Sequence, residues 1–292
     1  MKWYERLTSI DRRIIYILLT VLIILPFFVN VSIPQKIMPQ TQRLFDFIES
    51  IPPKDKAVMI SFDYTPQTQP ECHPMAKALL LHCFGRAIPV IGLSFDPEAP
   101  GLAVDILTRV NHEIDSLAKN KEDSLTYGVD YVYLGWKSGR IAAQLDMGDA
   151  ISGVYPRDYF GNPIDSLPLM QKVKNYKEIS IVVILAAADY PIDWIRYPQT
   201  RYGVKVGAGL TAVMAPQYYP FVQTGQVSGL MAGMKGAAEY ENLVLKHGYA
   251  RTLGTAETGM NSQSMIHILI MVFIILGNVG YFFSRRHKKE PK

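Results

Sequence analysis

Short apolar runs alternate with stretches of helical period through the middle of the chain. Residues 57–62 (AVMISF), 88–95 (IPVIGLSF), 129–134 (VDYVYL), 179–187 (ISIVVILAA) and 210–214 (LTAVM) are rich in β-branched side chains. Continuous apolar runs of this length predict strands buried on both faces. Between them, 75–84 follows Pro74 and stops at Gly85, the asymmetry expected of a helix. Residues 102–117 carry apolar side chains at 102, 103, 106, 107, 110, 114 and 117, and 138–145 and 169–176 are shorter helical candidates. Leu44, Phe45 and Ile48 mark one face of an amphipathic helix that Pro52 and Pro53 end. Residues 222–247 read as a long helical segment, broken or loosened by Gly225, Gly229, Gly233 and Gly236. The alternation predicts an α/β fold, a Rossmann-like and mostly parallel sheet of about five strands with helices on both faces.

Two longer apolar runs flank this region. Residues 14–32 read IIYILLTVLIILPFFVNVS behind Lys2, Arg6, Arg12 and Arg13, and the run ending at Phe283 precedes Arg285, Arg286, Lys288 and Lys289. About twenty helical residues cross a hydrocarbon core of ~30 Å. A cleaved signal peptide is the rival reading of the first run. Its apolar stretch is ~7–15 residues with a small-x-small site behind it, whereas 30–35 (NVSIPQ) has no Ala-x-Ala pattern. The expected order is therefore a tail (1–13), a span (14–33), a folded domain (34–262), a span (263–283) and a basic tail (284–292).

Charge sets the expected orientation. The segment through Ser32 has four basic and two acidic residues, and the segment after Ser262 has five and one. These ends contribute +6 of a net +4, so the middle is −2. Basic flanks stay inside, which places both termini in the cytoplasm and residues 34–262 outside the cell membrane. Without a basic excess in the folded part, nucleic acid is not an expected partner. The expected partners are the lipid bilayer and either another protein or a second copy. Cys72 and Cys83 are separated by helix, roughly 16 Å at 1.5 Å per residue, beyond the ~7 Å reach of a disulfide. They are expected as free thiols.

Candidate chemistry gathers where the strands end, since ligands of open parallel sheets bind at the carboxyl ends. Asp63, Asp96 and Asp189 each follow a predicted strand, and Glu71, Cys72 and His73 lie in the loop expected after the first. Asp63, His73, Asp96 and Asp189 are the candidate catalytic set, and Asp63, Glu71 and Asp96 are the candidate ligands of a divalent metal. The competing reading is that each aspartate caps the next helix or turn. No nucleophile elbow, phosphate-binding lysine loop or His-Glu-x-x-His helix occurs, and Gly207-Ala208-Gly209 precedes a predicted strand instead of following one. No organic cofactor is expected. His82 and His112 fall inside helices and read as packing or surface residues.

Aromatic residues crowd the loops. Tyr64, Trp136, Tyr190, Trp194, Tyr218 and Tyr219 are the candidate ligand or partner surface, with about half of the loop aromatics expected to be lids over the core. Gly225, Gly229, Gly233 and Gly236 would share one face of the long helix as a close-packing surface. The leading expectation is a two-pass, membrane-anchored binding or accessory domain, a non-catalytic subunit of a membrane assembly. Two alternatives stand beside it: an envelope hydrolase or transferase using the acidic cluster, and a sensor that signals through a partner.

Overall fold

The computed structural model describes residues 11–29, 36–116, 124–252 and 254–288. The chain forms two compact units, one of residues 36–257 and one of 1–35 with 258–292. In the larger unit, helix α2 (Pro39–Glu49; α1 belongs to the smaller unit) precedes β1 (Ala57–Asp63), α3 (Gln69–Gly85), β2 (Val90–Ser94) and α4 (Ala99–Asp115). Then come β3 (Tyr131–Trp136), α5 (Arg140–Asp146), several short turns, β4 (Ile179–Ala186), β5 (Val206–Leu210), β6 (Leu230–Ala232) and α6 (Gly233–Lys246).

The six strands form one sheet in the order β3-β2-β1-β4-β5-β6, every pair parallel. This is the doubly wound order, in which the winding reverses between β1 and β4. Apolar side chains alternate between two buried faces. Met59, Ile91, Leu93, Val132, Val182 and Ile184 pack under the segments between β3 and β6. The opposite face carries Phe62, Tyr133 and Leu185, with Met75 of α3 pressed on it.

Three elements differ from the sequence expectation. The described residues form six strands, against an expectation of about five. The fifth lies at Val206–Leu210 and not at 210–214, so Gly207-Ala208-Gly209 sits inside it. A Cβ on Gly207 would lie 2.8 Å from Leu44 Cδ1, and one on Gly209 2.6 Å from Leu185 Cδ2. These positions lack side chains so that neighbours can close over the strand. The segment over 222–247 is broken further than the glycines alone suggest, because a strand interrupts it. A short turn (Tyr219–Gln223) leads through Gly225 to β6, and α6 begins only at Gly233. Gly225 and Gly233 have φ of +78° and +61°, left-handed values that interrupt a helix. The four glycines therefore share no helical face. Gly229 instead lets the chain pass α2, where an added Cβ would lie 2.3 Å from the Leu44 nitrogen.

The smaller unit contains α1 (Arg12–Phe28), a 17-residue helix with exposed apolar side chains and Pro26 inside it. It also holds most of α7 (Thr255–Lys288). Within this unit the Ser262 hydroxyl donates to the Ile23 carbonyl at 3.0 Å. Among the described residues, Thr255–Arg285 is the one helix long and apolar enough to cross a membrane. Residues 30–33 of the expected first span lie outside the described residues.

Candidate functional site

The carboxyl ends of β1, β2 and β4 meet where the winding reverses. Asp63 ends β1 and is 1% exposed. Its Oδ1 accepts the backbone N–H of Phe95 (2.6 Å) and of Asp96 (3.2 Å), and its Oδ2 accepts the Ser61 hydroxyl. Burial pushes the carboxyl up to about 6, outweighing these hydrogen bonds that favour its ionised form. Asp96, half-buried, accepts the Glu98 N–H at 2.9 Å through Oδ1 and the Tyr190 hydroxyl at 3.0 Å through Oδ2. Tyr190 follows β4 and Asp96 follows β2, so this bond crosses the end of β1. The Arg140 guanidinium stacks over Tyr190, 4.6 Å from the ring centre, and pairs with Asp193. Tyrosine, arginine and two carboxylates thus close the crest with the protein's own groups.

The other candidates go elsewhere. Glu71, Cys72 and His73 belong to the first two turns of α3, because Pro70 is accommodated at its start; they do not form a loop over Asp63. Glu71 Oε2 accepts the Ala212 N–H at 2.8 Å, beyond β5. His73 Nδ1 meets the Tyr64 hydroxyl at 2.9 Å, and its Nε2 lies 3.5 Å from Asp105, whose two oxygens accept from the Arg109 Nε–H at 2.9 and 2.8 Å. Burial holds the His73 imidazole below its ordinary range. Asp189 is exposed and, although it stands at the N-cap of the next helical turn, its side chain makes no capping hydrogen bond there. Its charge is the second cause, after burial, of the rise of the Tyr218 phenol to about 12. Among the described residues no three His, Cys, Asp or Glu groups gather to hold a metal ion.

Cys72 and Cys83 are both free and buried. Burial pushes the Cys72 thiol up to about 12 and raises Cys83 as well, so neither supplies a thiolate at neutral pH. Of the aromatic candidates, Tyr64, Trp194 and Tyr218 are buried and belong to the core, and Tyr190 is half-buried under Arg140. Trp136 and Tyr219 are exposed.

Comparisons with protein-family models, curated proteins and solved structures find no match.

The crest also contains residues that the sequence reading passed over. Ser61 is readable in hindsight, since positions two apart on a strand share a face. Arg140 and Asp193 are 53 positions apart, and nothing in their spacing joins them. The Tyr155 hydroxyl, the Gln144 amide and the Trp194 indole N–H are buried without partners among the described residues. Ordered water is the usual partner of such groups. Beside the crest, Tyr159 lies against Gly135 and 5.3 Å from Phe160, ring to ring. Trp136 at the end of β3, and the contacting pair Tyr159 and Phe160, are 46, 46 and 57% exposed.

Proposed function

We propose that the chain is a membrane-anchored binding domain, a non-catalytic accessory subunit that uses its sheet as a rigid frame. The observation that carries this reading is the state of the crest. Asp63, Asp96 and Asp193 are each engaged by hydrogen bonds or an ion pair inside the protein. A general acid or a metal ligand needs a lone pair or proton directed at an open position. At Asp63 and Asp96 each carboxyl oxygen already accepts a hydrogen bond from within the chain, and Arg140 stacks over the Tyr190 ring that bonds Asp96. The raised Asp63 carboxyl favours the envelope-enzyme alternative, because perturbed acids concentrate in active sites; burial, against hydrogen bonds that pull the other way, produces the same shift.

In this reading α7 is one anchor and α1 the second. Seventeen helical residues extend ~26 Å, and a bilayer accommodates a shortfall of that size by local thinning. The basic flanks place both tails in the cytoplasm and the folded unit outside. Trp136, Tyr159 and Phe160 then offer a protein partner the kind of aromatic anchors that dominate interfaces. Titrating the detergent-solubilised chain with Mn²⁺ tests the non-catalytic part. No saturable site is expected, and one bound ion per chain that is lost in Asp96→Asn would contradict this reading of the crest and favour the metal-using alternative. Protease added to right-side-out vesicles tests placement: residues 36–257 should be cut and the tails spared.

A further inference from the structure

A second feature lies at the opposite end of the sheet and is independent of whether the crest is catalytic. Lys56 immediately precedes β1, Lys205 immediately precedes β5, and Lys177 stands two residues before β4. These three strands are neighbours, with Ala57 paired to Ile179 and Val182 to Val206. The topology therefore brings three lysines, distant in sequence, to one edge. They line a common cavity of about 420 Å³ with Ser180, Phe47, Tyr176 and Tyr202.

The charges there are unpaired. None of the three ammonium groups makes a hydrogen bond or ion pair among the described residues, whereas Lys77, Lys174 and Lys235 pair with Glu113, Asp165 and Glu239. No carboxylate lines the cavity. The nearest in sequence that could neutralise Lys177, Glu178, has its Oε2 turned to the backbone N–H groups of Lys174 and Asn175. The walls are fixed. Tyr176 donates to the Gln144 carbonyl at 2.6 Å and Tyr202 to the Leu145 carbonyl at 2.8 Å, so their rings serve as apolar sides and not as donors to a ligand. The Ser180 hydroxyl has no partner among the described residues and adds a further donor.

We propose that this cavity binds a phosphate-bearing anion, with Lys56, Lys177 and Lys205 around the phosphate and Phe47, Tyr176 and Tyr202 against its organic part. Three point charges with rotatable donors suit a phosphate dianion, which offers three acceptor oxygens. A room of about 420 Å³ exceeds what inorganic phosphate needs, consistent with a ligand in the small-molecule range. The same chemistry arises from a soluble phosphorylated metabolite or from an anionic lipid headgroup.

The test uses the full chain in mild detergent, wild type beside a variant carrying Lys56→Gln, Lys177→Gln and Lys205→Gln. All three lysines are exposed, and an unchanged thermal midpoint without ligand verifies folding; if the triple variant fails this control, the three single variants replace it. Glycerol 3-phosphate at constant ionic strength supplies the soluble arm. Native mass spectrometry after addition of phosphatidic acid or phosphatidylcholine supplies the lipid arm. Saturable binding of glycerol 3-phosphate, weakened roughly a hundredfold in the variant, supports a soluble ligand. Selective retention of phosphatidic acid, lost in the variant, supports a headgroup. Absence of both, or equal binding by wild type and variants, overturns the proposal.

Discussion

Truncating His82 to alanine will destabilise the folded unit by about 3–5 kcal/mol, the range for removing a large, fully packed side chain. His82 sits on α3 and is 0% exposed. Its Nδ1 lies 2.8 Å from the Tyr240 hydroxyl on α6, and its Nε2 lies 2.8 Å from Glu49 Oε2 on α2. The ring stacks on Phe45 at 4.2 Å. Burial lowers the imidazole to about 4, so it is neutral at physiological pH. One tautomer satisfies both contacts: Nε2–H donates to the Glu49 carboxylate, and Nδ1 accepts from Tyr240. Although burial pushes Glu49 upward, bonds from His82 and Tyr249 and the nearby Arg86 charge hold it below its ordinary range. Losing His82 leaves a cavity between three helices and strands a buried phenol with it. Thermal unfolding followed by tryptophan fluorescence measures the effect, and a loss under ~1 kcal/mol would mean that the three helices are held by apolar packing alone.

Replacing Asp63 with asparagine will change how stability depends on pH, and the sign is fixed by the direction of its shift. The folded carboxyl titrates near 6 against an ordinary value of 3.8. Its stabilising contribution is complete below pH 4 and is lost as pH rises through 6, in total about 3 kcal/mol. His82 acts oppositely. Its folded value is near 4 against 6.5, so its contribution is present above 6.5 and is lost as pH falls toward 4. The two cancel in part in the wild type, while Glu241, raised by burial to about 7, adds to the Asp63 direction. Subtracting the variant's curve isolates Asp63: from pH 4 to 6.5 the wild type should lose about 3 kcal/mol relative to Asp63→Asn. A difference that stays flat across that window would mean Asp63 keeps an ordinary carboxyl, and with it that the crest admits water.

The parts of the fold carried by long continuous runs were readable from residues alone. The run at 179–187 is apolar nearly throughout, and it became β4, next to β1 at the middle of the sheet. β6 was hidden because three residues between glycines carry no period, and the glycines that looked like a helix face are turn and close-approach positions. The crest was legible as a place and not as a state. Strand-end aspartates can be read off a sequence, but whether Asp96 faces solvent or Tyr190 depends on a bond spanning 94 positions. Burial of aromatics was equally opaque one by one. Trp136 ends β3 and Trp194 comes after β4, yet one is 46% exposed and the other fully enclosed.

The mass of the particle extracted in mild detergent tests the accessory-subunit reading most directly. A chain of 32.9 kDa should run in native mass spectrometry with a stoichiometric companion. That companion should dissociate when Trp136, Tyr159 and Phe160 are all replaced by serine, with the fold intact. A lone, monodisperse monomer from gently solubilised wild-type membranes would contradict it.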